Sequence, residues 1–236
     1  MSSQVGVLCF HKIGTPPKSL HSDYSYISAQ QFEIFLDQIR ESSWTVIDLE
    51  TMLFGLASTQ ALPDRALLIT FDDAYRSMHT SAMPLLRQFA FPSVVFVPAS
   101  FVGSTNEFDS GLAPEEPLCC WDELLELQQE GVALQSHSLS HRLFSTLDND
   151  EIQEELKRSK EAIESRTGRL VTAFAYPYGD PGMDTTATSE FAARAGYRAA
   201  FLCSGFSNRV PVRQRYSIAR LLMKPDTDLV SFLTPQ

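Results

Sequence analysis

The chain lacks an excess of positive charge. Nineteen lysines and arginines stand against 29 aspartates and glutamates, a formal net charge of −10. That balance argues against a nucleic-acid surface and against an anionic membrane as partners. Cysteine is scarce, and Cys9, Cys119, Cys120 and Cys203 show no Cys-x-x-Cys spacing. Scattered thiols of this kind read as reduced, mostly buried residues. No uninterrupted apolar stretch is long enough to span a bilayer. The first residues, Met1-Ser2-Ser3-Gln4, run straight into an apolar segment without a basic region or a small-residue cleavage site. A secretory leader is therefore not expected, and a cytoplasmic protein is.

What is present fits one α/β domain over residues 1–236, with 44% hydrophobic and 20% charged residues, ordinary for a globular chain. Strand candidates fall at 5–10, 44–47, 66–70, 93–98, 132–136, 171–176, 198–203 and 217–222. Most are short apolar runs without alternation, the pattern of parallel strands buried on both faces. Helix signals lie between them. Ser28 with Gln31, and Asp148 with Glu151, form capping-box patterns ahead of apolar residues at helical spacing. Gly131 and Gly196 follow helical stretches as C-terminal stops. Repeated strand-then-helix units with about eight strands and no composition break predict a closed or nearly closed (β/α) barrel. The stretch 99–118, rich in Gly, Pro and Ser, reads as a surface insertion near the site.

Two short strings follow strand candidates: Thr70-Phe71-Asp72-Asp73 and Ser136-His137-Ser138-Leu139-Ser140-His141. Taken alone, the first could be a helix cap and the second surface chemistry. Together, at the carboxyl ends of barrel strands, they supply a catalytic ligand set. Asp73, His137 and His141 offer one carboxylate and two imidazoles, a mixed oxygen and nitrogen set suited to Zn, and also to Co, Ni or Fe. Asp72 is left over to take a proton from water.

A third string, Phe174-Ala175-Tyr176-Pro177-Tyr178-Gly179, ends another strand candidate. With it the chain resembles the polysaccharide deacetylases, carbohydrate esterases that include chitin and peptidoglycan deacetylases. Tyr75-Arg76, Trp121-Asp122 and Ala195-Gly196-Tyr197-Arg198 extend the resemblance over most of the chain. It implies a distorted (β/α) barrel and a divalent metal held by Asp73, His137 and His141. It further implies Asp72 as general base, and Pro177 and Tyr178 against the substrate, with the Tyr178 backbone N–H on the oxyanion. Two family features are missing: the third motif has Ala175 where an arginine is usual, and no histidine follows His141.

Leu8-Cys9-Phe10-His11-Lys12-Ile13 is similar to the N-terminal histidine motif of the circularly permuted branch, which includes the poly-β-1,6-N-acetylglucosamine deacetylases. On that resemblance His11 protonates the leaving amine; otherwise it is a core or surface histidine. Arg220, at the last strand candidate, either replaces the missing arginine by orienting Asp72 or is a surface residue. His21 and His79 have no such context, and His79 is expected to face solvent. Trp121 is expected to pack, not to stack on sugar. The implied activity is removal of N-acetyl groups from an amino sugar in a glycan or a glycan-assembly intermediate. Small-molecule amide or ester hydrolysis on the same fold, and a non-catalytic carbohydrate-binding module, are the alternatives.

Overall fold

The computed structural model describes residues 4–16, 26–56 and 62–234; His21 lies outside them. Strand β1 (Gln4–Phe10) is followed by the short parallel pair β2 (Lys12–Ile13) and β3 (Tyr26–Ile27), helix α1 (Ala29–Glu41), β4 (Thr45–Val46), α2 (Leu49–Gly55) and β5 (Arg65–Phe71). A π-helical turn, Met78–Ala82, leads into α3 (Met83–Phe89), then β6 (Val94–Val97), α4 (Trp121–Gln129) and β7 (Ala133–Ser136). The rest comprises α5 (Asn149–Thr167), β8 (Ala173–Ala175), α6 (Thr185–Arg194), β9 (Ala199–Phe201), β10 (Ser207–Arg209), β11 (Leu221–Leu222) and α7 (Leu229–Leu233).

The main sheet runs β10-β1-β5-β6-β7-β8-β9, with β4 alongside β5 and β11 alongside β1. Its β1-β5-β6-β7-β8-β9 core is parallel, as the unalternating apolar runs predict. One edge departs from expectation. β10, a polar segment with no apolar run to reveal it, pairs antiparallel with Gln4–Gly6 of β1. The 217–222 candidate is not one strand either. Ile218 bridges Phe201 in β9, and three residues further on Leu221 and Leu222 pair with Leu8 and Cys9 of β1. The segment thus crosses from one sheet edge to the other and draws the curled sheet nearly shut at its carboxyl end.

Period-two alternation then divides the core. Val5 and Val7, Ala66 and Leu68, Val94 and Phe96, Ala173 and Ala175, Ala199 and Phe201 form one buried cluster inside the curl. Their neighbours Leu8, Phe10, Leu67, Ile69, Phe71, Val95, Val97 and Phe174 face the helices, against Phe32 and Phe35 of α1 and Leu156 and Ile163 of α5. The helix starts follow their caps: Ser28 Oγ accepts from the Gln31 N–H, and Asp148 and Glu151 complete a reciprocal capping box. Gly131 and Gly196 sit just past α4 and α6 with φ of +90° and +88°, a left-handed region where glycine is favoured.

Candidate metal and active site

On three strands the inward series leads toward the mouth of the curl. Along β5 the inward series Ala66, Leu68, Thr70 leads to Asp72; along β1, Val5 and Val7 lead to Cys9; along β9, Ala199 and Phe201 lead to Cys203. Asp73, which simple alternation would send outward, is turned in because Asp73 and Ala74 both adopt positive φ (69° and 55°). Among the described residues six non-glycine residues have positive φ, and five of them, Asp73, Ala74, Ser138, His141 and Tyr178, lie in these site loops. Such conformations cost free energy and persist only where the surroundings impose them.

The imposing contacts are visible for the histidine loop. Glu155, on the buried stripe of α5, accepts from the N–H groups of Leu139 and Ser140, both at 2.8 Å, and from the Ser140 hydroxyl. Ser138 Oγ accepts from the His141 N–H at 2.9 Å. Glu155 was not anticipated. Its signal was a lone carboxylate among Ile152, Leu156, Ser159 and Ile163 on one helical face.

Asp73, His137 and His141 converge, all buried. Asp73 Oδ1 lies 3.3 Å from His137 Nε2 and 3.0 Å from His141 Nε2. His137 Nδ1 is 2.8 Å from the Ala175 carbonyl, to which it can only donate, so Nε2 is the atom that faces the carboxylate. Asp73 Oδ1 and His141 Nδ1 have no hydrogen-bond partner among the described residues. Three acceptor atoms crowding one buried point need a cation or a proton between them, so the donor set fits a divalent metal. Burial opposes ionisation of Asp73, but His141 and His137 hold its carboxyl well below the carboxylate range. Burial likewise disfavours charge on His137, yet Asp72 and Asp73 raise its pKa above the ordinary value.

Asp72 belongs to a different arrangement. Arg220 Nη1 and Nη2 donate to its Oδ1 and Oδ2, each at 2.7 Å, in a bidentate pair. Nη1 also donates to Thr70 Oγ1 at 3.2 Å and Nε to the Leu202 carbonyl at 3.2 Å. The guanidinium sits over Phe96 and Phe201, 5.2 and 5.9 Å from their ring centres, so it caps the apolar interior. At 1% exposure Arg220 is not a surface residue. Burial alone would raise the Asp72 carboxyl; Arg220, backed by His137, outweighs it and brings it down to about 2.

Asp72, Asp73, His137 and His141 line a cleft of about 380 Å³ together with His11, Tyr178 and Cys203. His11 therefore reaches the same mouth from the end of β1, with its Nδ1 buried and without a partner among the described residues. The 99–118 segment forms one wall, as its composition suggested. Phe108 stacks on His141 with ring centres 4.0 Å apart. Asp109 accepts from the Tyr178 hydroxyl at 3.0 Å and lies 3.5 Å from the Tyr75 hydroxyl. Pro177 is buried beneath the turn, while Tyr178 is half-exposed. His79 and Trp121 stand apart from the cleft. His79 pairs with Glu126 at 2.7 Å and is only partly exposed, where free solvent exposure was expected; Trp121 packs against the core.

The comparisons with known proteins agree with this geometry. The polysaccharide deacetylase family model matches residues 59–200, more than half of the chain. The poly-beta-1,6-N-acetyl-D-glucosamine N-deacetylase of Escherichia coli (strain K12) is 27% identical over 105 residues, 42% of this chain and 16% of its own. The chain spans between 16% and 63% of the lengths of the curated relatives it matches. Among solved structures, Streptococcus pyogenes deacetylase PplD, in complex with acetate, superposes with a TM-score of 0.85 at 19% identity over the whole of both chains. IcaB from Ammonifex degensii superposes with a TM-score of 0.80 at 25% identity, covering 97% of this chain and 95% of its own. The match across the motif-bearing strands, on the same curled-sheet fold, places the chain in the polysaccharide deacetylase family.

Proposed function

We propose that this protein is a metal-dependent N-deacetylase acting on an N-acetylated amino sugar, in a glycan or a glycan-assembly intermediate. The observation that carries the reading is the juxtaposition of a buried three-ligand set with a second, guanidinium-fixed aspartate in one cleft. Asp73, His137 and His141 hold the divalent metal, zinc by the donor set. When bound, the metal supplies Lewis acidity toward a carbonyl oxygen and acidifies water.

The chain's own residues do the rest. Asp72 accepts the proton of the attacking water. Arg220 fixes both carboxylate oxygens, which lowers Asp72's proton affinity but leaves the group anionic and aimed. The Tyr178 backbone N–H donates to the developing oxyanion, and Pro177 with Tyr178 shapes the floor on which the acetamide rests. His11 delivers a proton to the departing nitrogen, the task that the absent C-terminal histidine leaves open. The buried Arg220 supplies the guanidinium that Ala175 does not. Among the described residues no helix is long and apolar enough to cross a membrane, and a cytoplasmic site of action, with an assembly intermediate as substrate, belongs to the proposal.

The test is acetate release from N-acetylglucosamine oligomers and glycan-assembly intermediates by protein loaded with Zn, Co or Ni. Wild type is expected to release acetate, and Asp72→Asn to turn over about 10²–10⁴-fold more slowly with metal still bound. Release only from small amides or esters would move the assignment to a small-molecule hydrolase. Sugar binding without turnover, unchanged in Asp72→Asn, would make the chain a binding module.

A further inference from the structure

Two thiols far apart in sequence meet beside the Asp72–Arg220 pair. Cys203 Sγ and Cys9 Sγ are 3.7 Å apart, in hydrogen-bond contact. Cys203 is partly exposed and lines the cleft, so a small solute can reach it. Cys9 is buried behind it, with Sγ 3.4 Å from Asp72 Oδ2. Arg220 Nη2 lies 3.5 Å from Cys203 Sγ. A guanidinium beside an accessible sulfur favours the thiolate, the reactive form.

We propose that Cys203 and Cys9 form a peroxide-sensitive pair in the cleft wall, Cys203 as the attacking thiol and Cys9 as the resolving one. Cys203 thiolate attacks one oxygen of hydrogen peroxide; the O–O bond breaks, hydroxide leaves and takes up a proton as water, and Cys203 carries a sulfenic acid. The Cys9 sulfur then attacks Cys203 sulfur, the S–O bond breaks, and the sulfenic hydroxyl leaves with the Cys9 proton as a second water. Two thiols lose two electrons and one peroxide gains them. Closing the sulfurs from 3.7 Å to the disulfide length of about 2.05 Å is within the reach of side-chain rotation.

The acidities agree with this division. The hydrogen bond with Cys9 and the nearby Arg220 outweigh burial and lower the Cys203 thiol below its ordinary value, while burial holds Cys9 above its own. Cys119, by contrast, is pushed up to about 12, chiefly by burial. Disulfide formation would draw Cys203 off Arg220 and Cys9 off Asp72, disturbing the pair that aims the proposed base. The thiol chemistry stands independently of the deacetylase reading; its effect on turnover rests on it.

Metal-loaded protein is treated with about one equivalent of hydrogen peroxide and mapped by mass spectrometry, with a phosphine reductant as the reversing step. The expected product is a Cys9–Cys203 disulfide, with Cys119 and Cys120 free. In Cys9→Ser, Cys203 should be trapped by dimedone as its sulfenic acid, and in Cys203→Ser, Cys9 should stay a thiol. Oxidation of Cys119 or Cys120 while Cys203 remains a thiol would overturn the proposal. Acetate release by wild type should fall at least about tenfold on oxidation and return on reduction. Undiminished release from a fully cross-linked sample would overturn the coupling to activity. A wild type without deacetylase turnover breaks the functional reading instead, and the mass map still decides the thiol assignment.

Discussion

The interior of the curled sheet and its mouth are built from the same strands and obey opposite rules. Inside, Val5, Val7, Leu68, Val94, Phe96 and Phe201 pack as a purely apolar cluster on regular extended backbone. Beyond the strand ends, the mouth buries Asp72, Asp73, His137, His141 and Arg220 among turns that hold five positive-φ residues. The apolar end can be assembled from hydrophobic burial alone. At the polar end each charge must be met by a partner, and each strained turn must be held by contacts outside itself. The two ends are held by different forces, burial at one and paired charges at the other, and the chemistry lies with the second.

That contrast can be broken from either side. Truncating Arg220 to Ala leaves Asp72 buried and unpaired and should cost about 3–5 kcal/mol in urea unfolding. Truncating Leu68 to Ala should cost about 2–5 kcal/mol through the cavity it leaves, yet preserve metal affinity in competition with a chelator. Equal damage to metal affinity by both would mean that the two ends are not separable.

Acid should act on the mouth next. Asp72 has a folded pKa of about 2 against an ordinary 3.8, so its contribution is present above about pH 4 and lost as pH falls through 2. It amounts to on the order of 2 kcal/mol, and Asp73, also depressed, adds in the same sense. His137 works in the opposite direction in metal-free protein. Its raised pKa gives stability that is complete below its ordinary 6.5 and disappears as pH rises through the folded value. Chemical unfolding of apo protein from pH 2 to 8 should therefore give a maximum on the acid side of neutrality. A stability that climbs steadily to pH 8 would contradict the His137–Asp contacts.

The smallest expected effect lies one layer out. Glu155→Gln keeps an acceptor but loses the charge that gathers the Leu139 and Ser140 N–H groups, and should weaken metal binding about tenfold. Isothermal titration with zinc checks this; unchanged affinity would show that the His141 loop holds itself.

Much of this could be read from the chain, because parallel strands buried on both faces leave unalternating apolar runs and the proposed ligand residues sit in compact strings directly after them. The polar strand β10 and the crossing of 218–222 could not be read, since both depend on which sheet edges are left open once the curl forms. Glu155 stayed hidden because its partners are backbone N–H groups of another loop. Arg220 showed only as a choice between a surface residue and a partner for Asp72. By itself the sequence determined the barrel class and the residue types of the proposed ligand set, which follow from unalternating apolar runs and short spacings; the inward parity of the strands had to wait for the curl. Only the tertiary structure decided that Arg220 from the far end of the chain is buried on Asp72, that His11 reaches the mouth from the first strand, and that Cys9 meets Cys203. Each is a contact between segments remote in sequence, set by sheet curvature and closure and not by any neighbour along the chain.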